Sequence, residues 1–241
     1  MQMSKFAPRM NENHTKRIVV SIAAALALLA GGTRAHSTTL VAGYTDATGN
    51  GHQAFGGNLA LLFTANTGMV IKDMGIFDNL GVATIPTGTN VTVGIFTVPS
   101  VGTGSLVAGT EVTFSSGDSY TLSANDGDLF QSISPVKLAP GNYEVVAVGF
   151  NGNYKNGNTT AGSVPPALTG SVSMTYDGSA WNGATSLKFT NTSETDPPLA
   201  QFNAGTFEFT PAPEPGTLLL MGTGVLGLAG MVRRKFRNSV S

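Results

Sequence analysis

Residues 138–147 read Leu-Ala-Pro-Gly-Asn-Tyr-Glu-Val-Val-Ala, which is a turn followed at once by a strand pattern. Pro140 and Gly141 stand at the central positions of a predicted type II turn, because proline fixes the first φ and glycine supplies the positive one. From Tyr143 onward apolar residues alternate with polar or small ones, as in a half-buried strand. The stretch therefore predicts β-structure with short connections between strands.

The same alternation recurs in several segments along the middle of the chain, and no amphipathic helical pattern lies between these segments. The predicted strands are 39–43, 59–64, 70–76, 91–95, 106–114, 129–133, 143–147, 172–176, 187–190 and 202–209. Parallel pairing would need crossover helices, so we expect antiparallel sheets. We predict an all-β fold, an antiparallel β-sandwich of jelly-roll or Greek-key type, over residues 36–210. Leu138 and Tyr143 flank the turn in a way that resembles the tyrosine corner of Greek-key sandwiches.

Charge is strongly segregated along the 241 residues. Residues 36–210 hold four bases and twelve acids, a net charge of -8, whereas the two ends together carry +7. A nucleic-acid-binding protein would need its bases on the folded part, so this class is excluded. The chain has no cysteine, which excludes disulfides, thiolate nucleophiles and cysteine-ligated metals.

The N-terminal end has the pattern of an export signal. A basic region is followed by the apolar run 18–30 and by Thr33-Arg34-Ala35, with small residues where a signal peptidase reads them. The basic residues are Lys5, Arg9, Lys16 and Arg17. We predict a signal peptide at 1–35, recognised by the Sec machinery and signal peptidase, with Ala30-Gly31-Gly32 as a second cleavage site.

The C-terminal end combines three features in a fixed order. Residues 211–216 are rich in proline, residues 217–232 are uncharged and apolar, and residues 233–237 are mostly basic. Sixteen helical residues rise about 24 Å, short of the ~30 Å hydrocarbon core, so the span is marginal by length. The basic cluster is typical of a stop-transfer signal that leaves the preceding chain outside. We predict a single transmembrane helix at 217–232 behind an extended stem.

These three features, over residues 211–237, resemble the PEP-CTERM sorting tail of exported bacterial proteins. The resemblance implies recognition residues Pro213, Glu214 and Pro215 and a basic stop at Arg233, Arg234 and Lys235. It also implies an exosortase-like transpeptidase as partner, anchoring in the inner membrane before processing, and a Gram-negative envelope or extracellular destination, often beside exopolysaccharide or biofilm. Residues 63–151 more weakly resemble the β-sandwich ectodomain of many such proteins. The alternative is a plain single-span anchor with a proline stem.

One loop and one tryptophan are candidates for ligand binding. The loop holds Asn151, Asn153 and Tyr154, whose amides and aromatic ring would suit the hydroxyls and apolar face of a sugar. Trp181 would supply a second aromatic platform. The alternative readings are a solvated hairpin tip for the loop and a core or rim position for Trp181.

The remaining chemical signals are sparse. Asp126 and Asp128 flank a glycine and form a weak calcium candidate, but the D-x-D-x-D-G spacing and a downstream Glu are missing, so a solvated turn is the preferred interpretation. His36 and His52 have no metal-ligand partner nearby in sequence, and no G-x-S-x-G elbow occurs. We therefore expect no cofactor and a non-enzymatic cell-surface or matrix protein with a structural or adhesive role. The alternative is a carbohydrate-binding module or a glycan-acting hydrolase.

Overall fold

A computed structural model describes most of the middle of the chain. It covers residues 40–45, 51–79, 81, 84–101, 103–122, 127–158, 167–168, 172–190, 201–212 and 224, with 167–168 described as backbone only. The predicted signal peptide at 1–35 lies outside the described residues, as does the predicted span at 217–232 apart from Gly224.

Strands dominate the described part of the chain. They are β1 (Val41–Ala42), β2 (Tyr44–Thr45), β3 (Asn58–Ala65), β4 (Met69–Phe77), β5 (Asn90–Thr97), β6 (Val112–Ser115), β7 (Thr121–Leu122), β8 (Asp128–Leu138), β9 (Gly141–Val148), β10 (Gly157–Asn158), β11 (Ala167–Leu168), β12 (Met174–Asn182), β13 (Phe202–Asn203) and β14 (Gly205–Pro211). All pairings between them are antiparallel, which confirms the predicted all-β, antiparallel class.

Two five-stranded sheets hold most of these strands. The first sheet has the order β1-β14-β4-β8-β7 and the second has the order β12-β3-β9-β5-β6, while β10–β13 and β11–β2 form short separate ladders. Buried side chains from both large sheets join one apolar cluster. Phe63 on β3 and Phe207 on β14 meet across it, with ring centroids 5.1 Å apart. The two sheets therefore pack face to face, as in a β-sandwich.

The central strands of the second sheet are buried on both faces. On β3, Leu59, Leu61 and Phe63 face the main core, whereas Ala60 and Leu62 belong to a separate small cluster on the opposite face. The period-two geometry of a strand produces this division directly. A sheet with two buried faces needs cover on its outer side.

Residues 183–190, which we call the strap, provide that cover. The side chain of Asn58 holds the strap through Nδ2, which donates to Ala184 O and Ser186 O at 3.0 Å, and through Oδ1, which accepts from Lys188 N at 3.0 Å. Phe189 then packs into the small outer cluster. The predicted strand at 187–190 is therefore wrong, because a side chain rather than a neighbouring strand binds this backbone.

Other strand predictions need their boundaries corrected. The segment predicted at 106–114 is a strand only from Val112, and the one predicted at 172–176 extends as β12 to Asn182. A bulge between Tyr176 and Gly178 keeps β12 paired with β3 over this longer range.

The turn that follows Leu138 joins the two sheets. β8 lies in the first sheet and β9 in the second, so the chain crosses from one layer to the other at Ala139 and Pro140. Gly141 has a φ of +159°, an extended value, so the predicted type II turn with its φ near +80° is wrong. The Tyr143 hydroxyl donates to Ala139 O at 2.9 Å, which is the hydrogen bond expected of a tyrosine corner.

Candidate functional site

A cleft lies between the edge strand β12 and the β10–β13 ladder. Its volume is about 240 Å³. The side chains that line it are Gln53, Phe55, Leu59, Asn158, Trp181 and Phe202. None of these six side chains titrates near neutral pH, so the lining offers apolar contact and hydrogen bonding rather than proton transfer.

Two aromatic rings form the partly exposed side of this cleft. Trp181 pairs in register with Leu59 on β3, which fixes its backbone at the sheet edge. Its indole meets the Phe55 ring edge to face, with centroids 5.6 Å apart and an interplanar angle of 88°. Both rings are half-buried, whereas Leu59 and Phe202 are buried and contribute apolar surface behind them.

The amide side of the cleft is built by a contact between distant segments. Gln53 and Asn156 form an isolated antiparallel bridge, in which Gln53 N donates to Asn156 O at 3.0 Å and Asn156 N donates to Gln53 O at 2.9 Å. Asn156 Nδ2 also donates to Gln53 Oε1 at 2.8 Å, so the Gln53 side chain is held in one orientation. Asn158 follows on β10 and pairs with Phe202 on β13.

Tyr154 does not reach this cleft or the surface. Its ring is fully buried and stacks on Phe150 with centroids 6.1 Å apart, and its hydroxyl donates to Phe77 O at 3.1 Å. Burial raises the pKa of Tyr154 well above its ordinary value, and the charges of Asp78 and Asp128 raise it further. The prediction that Tyr154 is an exposed ligand platform is therefore wrong.

The two predicted loop amides have different roles. Asn151 Oδ1 accepts from Asn153 N at 2.8 Å and from Tyr154 N at 3.1 Å, and Asn151 Nδ2 donates to Thr89 Oγ1 at 3.1 Å. Asn151 therefore stabilises the turn itself, while Asn153 is exposed. Of the four predicted ligand residues, only Trp181 lines the cleft. Sequence reasoning missed Phe55 and Gln53.

The weak calcium candidate is only partly within the described chain. Asp126 lies outside the described residues. Asp128 is fully buried at the first position of β8, opposite Phe77, rather than in a solvated turn. Among the residues that the structure describes, no group of three or more His, Cys, Asp or Glu side chains is placed to hold a metal ion.

The C-terminal segment begins inside the fold. β14 continues to Pro211, which pairs with Met69, and Ala212 N donates to Gly68 O at 2.8 Å. The last strand thus runs past the predicted domain boundary at residue 210. The predicted sorting residues Pro213, Glu214, Pro215, Arg233, Arg234 and Lys235 lie outside the described residues. Within the described part, the structure contains no helix of the length and apolarity needed to cross a bilayer.

Comparison with known families identifies the C-terminal segment of the chain. The family model of the PEP-CTERM protein-sorting motif matches residues 211–235, which confirms the resemblance of the tail. The motif implies an exported protein that is anchored in the membrane before an exosortase processes it. Searches of curated proteins and of solved structures return no significant match. Because the motif match begins at residue 211 and β14 ends at Pro211, the sorting motif starts at the last residue of β14.

Proposed function

We propose that this chain is a cell-surface or extracellular-matrix protein with a non-enzymatic, structural or adhesive role. The observation that carries the proposal is the sorting motif at 211–235, which directly follows a densely packed β-domain. The motif directs the sorting of the protein, and the β-domain is the part that is exported. An exosortase-like transpeptidase is the processing partner, and matrix exopolysaccharide is the proposed neighbour of the delivered domain.

The route follows from the order of segments along the chain. The signal peptide at 1–35 starts export through the Sec machinery, and signal peptidase removes it. The apolar segment 217–232 and the basic stop 233–237 then hold the chain in the inner membrane. Processing near Pro213-Glu214-Pro215 releases the domain to the envelope, the outer surface or the medium.

The use of buried polar side chains supports a non-enzymatic role. Glu144 is fully buried, and its two carboxylate oxygens accept from Thr190 N at 2.8 Å and from Thr190 Oγ1 at 2.6 Å. The side-chain amide of Asn58 likewise donates hydrogen bonds to the backbone of the strap. These groups hold the fold together, and none of them lines the cleft beside Trp181.

The sorting step is tested by Glu214→Ala in the native host. We expect this variant to keep its C-terminal tail and to stay in the inner-membrane fraction, because the recognition motif loses its only charge. Glu111→Ala is the matched control, since it removes an exposed carboxylate from the domain without touching the tail. Intact-mass spectrometry of fractionated cells measures both ends of each product.

Two outcomes would contradict this assignment. If Glu214→Ala matures like the wild type, Pro-Glu-Pro is not the recognition element. If the wild type itself keeps residues 213–241 in every fraction, the tail is a plain anchor.

A further inference from the structure

We propose that the cleft beside Trp181 binds one ring of a neutral saccharide, with Trp181 and Phe55 against its apolar face and Gln53 and Asn158 on its hydroxyls. The inference rests on the proposed function, because it specifies the surface with which the exported domain adheres. The chemical class follows from the volume of the cleft, its two aromatic rings, its amides and the absence of charge among the six described side chains that line it.

The aromatic pair gives the cleft a sugar-binding surface. A pyranose ring carries C–H groups on its faces and hydroxyls around its edge, so it needs apolar contact in one direction and hydrogen bonds in another. Trp181 and Phe55 are perpendicular at 5.6 Å and half-buried, so together they present a corner rather than one flat patch. The pairing of Trp181 with Leu59 on β3 fixes the backbone of this corner at the sheet edge.

The amides supply the hydrogen-bonding edge. The bond from Asn156 Nδ2 occupies Gln53 Oε1, which orients the Gln53 amide and leaves its Nε2 as the group that donates toward a ligand. A side chain fixed before binding loses little conformational entropy when it binds. Asn158 lies on the same lining and adds a second amide.

The absence of charge and the size of the cleft narrow the ligand class. The six side chains that the structure describes in the lining carry no cation to neutralise a uronate, sulfate or phosphate, and residues 36–210 are acidic overall. A volume of about 240 Å³ is below the roughly 300–1,000 Å³ of pockets for drug-sized ligands. The cleft thus fits one sugar ring, while the rest of a chain would extend out of it.

The chain contains a built-in reporter for this site. Trp181 is its single tryptophan, so selective tryptophan excitation reports on the cleft alone. The full chain, held in zwitterionic lipid nanodiscs, is titrated with cellohexaose, with mannohexaose and with polygalacturonate as an anionic probe. We expect a saturable change in Trp181 emission with at least one neutral hexasaccharide and none with polygalacturonate.

Two variants locate the binding. Gln53→Glu keeps the oxygen that accepts from Asn156 but loses the Nε2 donor, so binding should weaken about tenfold. Asn153→Ala, which changes an exposed side chain of the loop first predicted to bind sugar, should bind like the wild type. Equal urea midpoints in the three proteins establish that each is folded, and isothermal titration calorimetry checks the affinities independently of fluorescence.

Each remaining outcome overturns the inference. A response to neither neutral probe, a response to polygalacturonate alone, or an unchanged affinity in Gln53→Glu would each refute a neutral-saccharide site at this cleft. Processing of Gln53→Glu is followed in the same host by intact mass. Normal processing with lost binding leaves the sorting proposal standing, so the two proposals fail separately.

Discussion

Replacing Glu144 by glutamine should remove part of the pH dependence of folding while leaving the fold intact. Glu144 lies on the outer face of β9, the same face as Val146 of the small apolar cluster, and Thr190 supplies its two hydrogen bonds. Burial raises the pKa of Glu144, and the bonds from Thr190 lower it by less. The folded chain therefore holds this proton more tightly than the unfolded chain does.

The sign of the effect follows from linkage. The stability contributed by the raised pKa is fully present below the ordinary glutamate value of 4.5 and is lost as the pH rises through the folded-state pKa. Each tenfold difference between the two acid constants is worth about 1.4 kcal/mol. Glutamine has no proton to lose here, so the Glu144→Gln variant gains stability relative to the wild type as the pH rises.

The hydrogen bonds to Thr190 determine how much Glu144→Gln and Glu144→Ala each change the free energy of unfolding. Glutamine can accept from Thr190 N through Oε1 and donate to Thr190 Oγ1 through Nε2, so at low pH Glu144→Gln should change the unfolding free energy by no more than about 1 kcal/mol. Glu144→Ala leaves two buried Thr190 groups without partners at about 1–3 kcal/mol each, which predicts a loss of about 2–6 kcal/mol in the free energy of unfolding.

Urea unfolding of the domain, followed by Trp181 emission between about pH 4 and pH 8, measures these free energies. The decisive quantity is the stability of Glu144→Gln minus that of the wild type, which should increase with pH. Thr190→Val completes a double-mutant cycle that isolates the hydroxyl bond. If the difference between the two proteins is constant with pH, or if alanine is as well tolerated as glutamine, the buried-carboxylate reasoning is refuted.

Two further predictions concern the backbone of the second sheet and its corner. Tyr143→Phe removes the hydroxyl that donates to Ala139 O at 2.9 Å and should cost about 0.5–1.5 kcal/mol in urea, and a neutral result would show that the corner does not need this bond. Gly149→Ala should cost about 3 kcal/mol or more, because its φ is +106° and a Cβ there would lie 2.2 Å from Asn90 O. Gly152→Ala, which meets nothing within 4 Å, is the matched control, and equal stability of the two alanine variants would disprove the steric argument.

The alternation of apolar and polar residues predicted the strands well where the side chains point alternately to the two faces of the sheet. The alternation at 143–147 and 59–64 lies within β9 and β3, because both strands divide their side chains between two faces. The segment 187–190 also alternates apolar and polar residues, but it is not a strand. Its backbone is bound by Asn58, about 130 residues earlier in the chain, and no local pattern encodes that contact.

The cleft was predictable only in part for the same reason. Trp181 stands out in the sequence as a single large aromatic residue, and it does line the cleft. Gln53 becomes a site residue through its bridge to Asn156, which is 103 residues away. Tyr154 has the polar neighbours of an exposed loop, yet Asn151 closes that loop into a turn that directs the ring into the core.

The position of β14 links the fold to the sorting tail. β14 lies between β1 and β4 and contributes Phe207 and Phe209 to the main core, so residues 205–211 are an integral part of the first sheet. These residues are also the last of the described strands in chain order. A cut on the C-terminal side of Ala212 breaks no described strand pairing, whereas a cut within residues 205–211 would remove paired residues from the first sheet. The sorting motif at 211–235 therefore begins at Pro211, a residue that is still paired with Met69 in the first sheet.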